Sequence, residues 1–246
     1  MKIVACIEAR YSSTRLPGKM LADIEGKPLL GRVIDRVKKS KKIDDIIIAT
    51  STNVSDIKIV KLAKSFKVKY FRGSEFDVLD RVVKACKFVK ADLVVEICGD
   101  CPLIDPILID KAIQTFLEND YNIVCTGGLT QTFPQGTEVM IMKTSLLEKS
   151  LQLSKQGPHR EHVGLFFFEN SFDYKIKDLV APKSQTKPNL RLQVDYEEDL
   201  EFVKKIYSSI LPINGDNFFL DEIISLLKNN PKLLEINKHC REKPVR

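Results

Sequence analysis

The run Ile3-Val4-Ala5-Cys6-Ile7 leads directly into Glu8-Ala9-Arg10-Tyr11-Ser12-Ser13-Thr14-Arg15-Leu16-Pro17-Gly18-Lys19. An unbroken apolar run of this kind reads as a strand buried on both faces, as in a parallel sheet. Open α/β sheets bind ligands in the loops at the carboxyl ends of their strands. Three cations and three aliphatic hydroxyls in one such loop fit a polyphosphate: guanidinium forks grip phosphate oxygens in pairs, and an ammonium acts as a compact point charge. The alternative is that Arg10, Arg15 and Lys19 only solvate a surface turn. The loop has a single glycine and lacks both the G-x-x-x-x-G-K-[ST] and the G-x-G-x-x-G spacings, which turns the reading away from kinases and dehydrogenases.

Strand and helix patterns alternate outward from this stretch. Leu29, Leu30, Val33, Ile34 and Val37 recur at helical spacing behind Pro28. Asp45 to Thr50 predicts a second buried strand, Thr52-Asn53 a cap for the helix carrying Ile57, Val60 and Ala63, and Lys67 to Phe71 a short strand. A third amphipathic helix runs over Val78 to Val89, and Leu93 to Cys98 is the next strand. Asp105 and Pro106 suit the cap and first position of a helix reaching Leu117. Strands are expected at Asn122 to Thr126, Glu138 to Met142 and Leu190 to Asp195, and helices up to Leu153, over Leu200 to Ile210 and over Leu220 to Leu227. We therefore expect one domain over 1–246, a mostly parallel sheet between helical layers, with a small sub-lobe inserted over about 127–175 and a loose tail over 231–246.

The 246 residues suffice for a core without staples, and 43% hydrophobic with 29% charged residues is an ordinary globular balance. The net charge of +6 comes largely from scattered lysines with no aromatic-interleaved basic patch, so nucleic acid is not an expected partner. No apolar run approaches the roughly 18 to 20 residues that span a bilayer. Six cysteines without a signal peptide read as reduced thiols of a cytoplasmic protein. Cys98-Gly99-Asp100-Cys101 has C-x-x-C spacing, but a lone pair with remote histidines is weak support for zinc.

Asp100, just past a strand, is a candidate metal ligand, with Gly99 allowing close backbone approach; the alternative is a turn-forming aspartate. Asp195 follows the expected last strand and is the second. Mg²⁺ takes one or two carboxylates with phosphate oxygens and water. Asp199 reads as a first-turn carboxylate favoured by the helix dipole. The Arg72-Gly73-Ser74-Glu75 turn offers polar groups for a nucleobase edge, against the alternative of a plain strand-to-helix turn before a surface helix. Gln135, Glu138, His159, Arg160 and His162 are candidates for a second substrate, against the alternative of a solvated helix start.

Three ordered motifs carry a resemblance: Ala9-Arg10 with Ser13-Thr14-Arg15-Leu16-Pro17-Gly18-Lys19, the Gly99-Asp100-Cys101-Pro102-Leu103-Ile104 turn, and Val194-Asp195-Tyr196-Glu197-Glu198-Asp199-Leu200. Together they resemble the CMP-sugar synthetase superfamily, which includes 3-deoxy-manno-octulosonate and N-acylneuraminate cytidylyltransferases. Arg72-Gly73-Ser74-Glu75, Asp77-Val78-Leu79-Asp80-Arg81 and Arg160-Glu161-His162-Val163 look closest to the spore-coat polysaccharide biosynthesis protein F branch. The resemblance implies a GT-A-like nucleotide-diphospho-sugar transferase fold, Mg²⁺ dependence and a homodimer. It implies that Ala9, Arg10, Ser13, Thr14, Arg15, Lys19 and Gly99 line the nucleotide, with Arg72, Ser74 and Arg81 near the base. Arg15, Lys19 and Asp100 would be catalytic, and Asp100 with Asp195 would hold the metal. The octulosonate enzymes usually carry Gln-Gly-Asp-Glu-Pro where this chain has Cys98-Gly99-Asp100-Cys101-Pro102, a departure that falls at the base contact.

The implied reaction is nucleotidyl transfer from a nucleoside triphosphate, with CTP favoured, to a sugar acid or sugar phosphate, releasing pyrophosphate for glycan synthesis. Two alternatives stay open. One is a glycosyltransferase consuming a nucleotide-sugar, although no convincing D-x-D follows a strand; the other is a non-catalytic nucleotide-binding partner in polysaccharide assembly.

Overall fold

The computed structural model describes residues 1–155 and 157–241. Strand β1 (Ile3–Glu8) is an interior strand, third in a seven-stranded sheet. It pairs in parallel with β4 (Asp45–Ser51) on one side and β6 (Leu93–Cys98) on the other, so that Ala5 faces Ile46 and Val95. A short hairpin, β2 (Asp23–Ile24) with β3 (Lys27–Pro28), stands apart from this sheet. β5 (Lys69–Gly73) extends the parallel half as an edge strand. Beyond β6 the direction reverses: β8 (Met140–Lys143) runs antiparallel to β6, β7 (Ile123–Cys125) antiparallel to β8, and β9 (Ile176–Asp178) parallel to β7.

Alternate residues of the central strands feed two cores. Ala5, Ile7, Ile48, Val95 and Ile97 point to the side covered by α1 (Leu29–Val37), α2 (Ile57–Ser65), α4 (Pro106–Glu118), α8 (Glu197–Asn214) and α9 (Leu220–Asn229). Val4, Cys6, Ile47, Ala49 and Val94 point to the other side, under α3 (Val78–Phe88), α5 (Thr144–Leu153) and α7 (Leu165–Glu169), with the short α6 (Gly157–Glu161) packed on α3. A strand buried on both faces must be apolar at every position, which is why β1 shows no alternation. Asp105 caps α4 as expected, accepting from the Ile107 amide at 2.7 Å with Pro106 next in line. Among the described residues no helix is long and apolar enough to cross a membrane.

Several expectations need correction. Residues 190–195 do not join the sheet as a strand; they make one isolated bridge, Gln135 to Arg191, and the Val194 amide donates to the Asp100 carbonyl at 2.9 Å. The stretch 127–175 is not simply laid over the sheet, since β8 belongs to it. Asn53 gives no side-chain cap; a 3-10 turn, Val54–Asp56, precedes α2 instead. The tail is not loose as far as 241: Asn237 is buried, and its Nδ2 donates to Asp199 Oδ1 at 2.9 Å and to the Arg191 carbonyl at 3.2 Å. Residues 242–246 of that expectation lie outside the described residues.

Candidate functional site

The basic loop leaves β1 and folds around one carbonyl: Tyr11 O accepts from the amides of Ser13 and Gly18, each at 3.0 Å. Buried Asp56 anchors it, accepting from the Tyr11 amide at 2.7 Å while also taking the Thr50 hydroxyl and the Ser51 amide. Gly18 has φ +77° and packs its Cα on the Tyr11 ring, where a Cβ would meet the hydroxyl at 3.1 Å. Ser13 Oγ accepts from the Leu16 amide, and Thr14 is exposed at the tip. The effect of these turns is to direct Lys19 inward.

Lys19 is buried, and its Nζ donates to Asp100 Oδ2 at 2.6 Å, Asp195 Oδ1 at 2.8 Å and Val194 O at 2.8 Å. Arg15 Nη2 donates to the same Asp195 Oδ1 at 2.7 Å, its guanidinium 5.5 Å from the centre of the Tyr196 ring. On the far side, Arg191 Nη2 donates to Asp195 Oδ2 at 2.8 Å while its Nε reaches both oxygens of Asp199. Asp199 also accepts from the amides of Asp195 and Tyr196, so the first-turn role expected for it is what it has. The structure thus brings Arg15, Lys19, Asp100 and Asp195 into one cluster. Burial works against the charge on Lys19, but Asp100 and Asp195 together outweigh it and hold its pKa above the ordinary lysine value. Burial likewise opposes the Asp195 carboxylate, and Lys19, Arg15 and Arg191 overturn that, keeping it below the usual range.

Gly99 brings two strand ends together. Its amide donates to the Glu8 carbonyl at 2.8 Å, and a Cβ there would stand 2.4 Å from that oxygen. Ala9 is buried beside it, its amide on the Ala49 carbonyl. Glu8 stands opposite Cys98, and Glu96 opposite Cys6, on one face of the sheet. Glu8 Oε1 is sealed from solvent, and burial pushes this carboxyl up to about 7 against the pull of Arg81. Burial and the neighbouring Glu8 charge push Glu96 up as well. The pair therefore favours holding a proton that two exposed carboxyls would release.

The turn after β5 touches the basic loop through Ser12 Oγ, which donates to Glu75 Oε1 at 2.7 Å. Arg72 donates to the carbonyls of Ser51 and Asn53, Arg81 to those of Ser74 and Glu75, and Ser74 Oγ accepts from the Asp77 amide. These three residues expected near the base lie in or behind the turn that touches the basic loop, with much of their bonding spent on shaping the turn. Arg10 forms an ion pair with Glu161 of α6 at 3.7 Å.

The residues expected to meet a second substrate are more scattered. Gln135 is tied to residues 190–192 by backbone bonds, and Glu138 accepts from the Gly136 amide and from Gln131. Buried His159 meets Glu169 Oε2 at 2.6 Å and packs edge-on to Phe166. Arg160 donates twice to Asp77 Oδ2 and once to the Leu151 carbonyl, while His162 is exposed. Sequence reasoning gave no role to Arg191, Asp56 or the Glu8 and Glu96 pair. The spacing of Arg191, Asp195 and Asp199, four apart each time, is the one signal that could have exposed the first.

Comparison with known proteins identifies the family. The family model described as cytidylyltransferase matches residues 4–239. Spore coat polysaccharide biosynthesis protein SpsF of Bacillus subtilis (strain 168) is 33% identical over 240 residues, covering 93% of this chain and 95% of that protein. A solved structure of a cytidylyltransferase from Leptospira borgpetersenii serovar Hardjo-bovis (strain JB197) superposes with a TM-score of 0.91 at 30% identity, covering 99% of this chain and 100% of the other. The structure of CMP:2-keto-3-deoxy-manno-octonic acid synthetase complexed with CTP shares the fold, with a TM-score of 0.66 at 20% identity over 85% and 99% of the two chains. The expected α/β architecture and superfamily resemblance are both borne out.

Proposed function

The chain belongs to the cytidylyltransferase family, and from that premise we propose that it activates a sugar by transferring a nucleotidyl group from CTP in a Mg²⁺-dependent reaction. An oxygen of the acceptor attacks the α-phosphorus in line. The bond to the bridging oxygen breaks, and pyrophosphate leaves with that electron pair. The nucleophile is an anomeric hydroxyl, which gives up its proton, if the acceptor is a sugar acid; it is a phosphate oxygen if the acceptor is a sugar phosphate.

The convergence of Asp100 and Asp195 on a single nitrogen of Lys19 carries this reading. Two carboxylates within reach of one point, beside a loop that holds Arg10 and Arg15, form a hard oxygen donor set suited to Mg²⁺. When bound, the ion would screen the charge of the phosphate oxygens. Arg15 and Lys19 take the β- and γ-phosphates and stabilise the departing pyrophosphate. Ala9, Arg10, Ser13, Thr14 and Gly99 line the nucleotide, Arg72, Ser74 and Arg81 lie by the base, and Gln135, Glu138, His159, Arg160 and His162 border the acceptor side. The same reading includes a cytoplasmic homodimer built through residues 127–175, where Phe172 stands fully exposed.

A screen of the four nucleoside triphosphates against sugar acids and sugar 1-phosphates, with and without Mg²⁺, tests it. Pyrophosphate release that needs CTP, an acceptor and Mg²⁺ is the expected result. Sugar transfer from a nucleotide-sugar without pyrophosphate, or tight nucleotide binding with no turnover, would overturn it.

A further inference from the structure

The tail closes back on the start of α8, next to the Asp199 network, and brings three different donor atoms together. Glu198, in the first turn of α8, meets His239 Nε2 through its Oε1 at 3.2 Å. The ligand atoms of Glu198, His239 and Cys240 all lie within 4.8 Å of one another. Cys240 is buried, at 8% exposure, while the imidazole and the carboxylate open to solvent, so the cluster has a sealed side and an accessible side. Its backbone is fixed independently: the Cys240 amide donates to the Asn237 carbonyl at 3.0 Å, and Asn237 is locked onto Asp199 and Arg191.

We propose that Glu198, His239 and Cys240 form a second metal site, for Zn²⁺, that staples the C-terminal segment to α8. Thiolate, imidazole and carboxylate are zinc's usual ligands, lying about 2.0 to 2.3 Å from the metal, and donor atoms all within 4.8 Å of one another can close on a common ion by side-chain rotation. The charges balance: one thiolate, one carboxylate and a neutral imidazole offset a divalent ion, and the Cys240 thiol proton passes to solvent on binding. Three protein ligands leave a fourth position for water. Mg²⁺ does not compete well here, because it disfavours sulfur and demands oxygen. The ligand Glu198 precedes Asp199, which holds Arg191, which holds Asp195. A staple at this point steadies the acidic end of the cleft from behind without touching substrate.

The site is tested on the full chain, stripped with chelator and free of nucleotide, by titration with Zn²⁺ alone and with Co²⁺ as a spectroscopic probe. One tight equivalent of Zn²⁺ per chain is expected, with a thiolate-to-Co²⁺ absorption band, a rise in Tm on Zn²⁺ loading and protection of residues 231–241 from protease. Cys240→Ser and, separately, the exposed-surface variant His239→Ala should each weaken Zn²⁺ binding at least tenfold. The band should vanish in Cys240→Ser yet persist in Asp100→Asn and Cys101→Ser. Absence of the band in the native chain, or its survival in Cys240→Ser, overturns the proposal; if that variant fails to fold, unchanged Zn²⁺ affinity in His239→Ala does so. None of these readouts depends on nucleotidyl transfer.

Discussion

Lys19 and Asp195 form an ion pair of 2.8 Å in which both side chains are almost wholly buried. The oxygen that Asp195 gives to Lys19 also serves Arg15, and the remaining bonds of the ammonium go to Asp100 and the Val194 carbonyl. The acid oxygens that the proposed reaction would offer to Mg²⁺ are therefore held by the protein's own cations. In that proposal an arriving triphosphate gives Lys19 and Arg15 other anionic partners and so releases the acids.

It follows that Lys19→Met affects two measurements in opposite directions. Turnover in pyrophosphate release should fall by about 10²- to 10³-fold, the usual cost of losing one preorganised charge. Mn²⁺ binding to the nucleotide-free protein should tighten at least several-fold, because a competing positive charge has gone. Unchanged Mn²⁺ affinity would show that the ammonium does not guard the acids.

Asp100 and Asp195 should separate by stability, although the proposed reaction needs both. Asp195 sits at 5% side-chain exposure with three cations on it, so Asp195→Ala strands buried charge and should cost about 3 to 5 kcal/mol, or roughly 10 °C in Tm. Asp100 is a quarter exposed, and its loss leaves Lys19 still bound to Asp195 and Val194. Asp100→Ala should cost about 1 kcal/mol or less while losing turnover 10²-fold or more, roughly the penalties for an exposed pair and a catalytic group. Thermal melts and a pyrophosphate assay on the two purified variants decide this, and near-normal turnover in Asp100→Ala would remove that residue from the site.

The Glu8 and Glu96 pair gives the fold a pH dependence of definite sign. Burial disfavours the charge on Glu8 and pushes its carboxyl up from the ordinary 4.5 to about 7 in the folded chain, and Glu96 is raised too. Over that window the folded chain keeps a proton that the unfolded chain has released, so stability falls as pH rises. Between about pH 5 and 8 the Tm should drop, and Glu8→Gln should flatten the slope by on the order of 1 kcal/mol, about 2 to 4 °C. A variant with the native slope would mean that the pair does not share a proton.

At Gly99 a single methyl group has nowhere to go, since a Cβ would stand 2.4 Å from the Glu8 carbonyl oxygen. That neighbour is backbone of the interior strand β1, which cannot rotate away as a side chain could. Gly99→Ala should therefore push β6 off β1 at the mouth of the cleft, at a cost of about 1 to 3 kcal/mol. Because Asp100 is the next residue, turnover should suffer more than stability does. A denaturant titration beside the activity assay checks both.

The parallel half of the fold was legible because a strand buried on both faces has little choice of residue type: Ile3 to Ile7, Ile46 to Ala49 and Leu93 to Val95 announce themselves. Asp105 was legible as a cap because its bond to the Ile107 amide is local. Residues 190–195 misled for the same reason. Leu192 and Val194 are fully buried in a strand-like pattern, but their partners are the Gln135 carbonyl and the Asp100 carbonyl rather than a neighbouring strand, and pattern alone cannot choose between those. The β2 and β3 hairpin and β9 are two or three residues long and leave no periodicity to read. In the site, Arg15, Lys19, Asp100 and Asp195 could be named from the sequence, yet Arg191 could not, and the triple grip of Lys19, which spans 176 positions to Asp195, needed coordinates. The inward turn of His159 onto Glu169 and Phe166 could not be told from a ligand's position, because both readings ask for a histidine near a helix start.

Arg191 is the residue through which that grip is maintained. Its Nε takes Asp199 while its Nη2 takes Asp195 Oδ2, so one planar fork fixes two carboxylates and leaves Asp195 Oδ1 pointing at Lys19 and Arg15. Lysine has the charge but not the fork, and it cannot hold both acids in fixed relative orientation. Arg191→Lys should fold, with a modest loss of about 1 to 2 kcal/mol for the lost charge-assisted bond. Turnover should fall at least tenfold with a smaller change in the KM for the triphosphate, since the guanidinium orients an acid and is not among the loop groups assigned to phosphate. A variant whose KM rises tenfold while kcat stays native would show instead that Arg191 meets the nucleotide itself. Arg191→Ala separates the remaining alternative: a purely structural prop would lose Tm in both variants in proportion to turnover, whereas a positioning residue loses turnover in Arg191→Lys well before it loses stability.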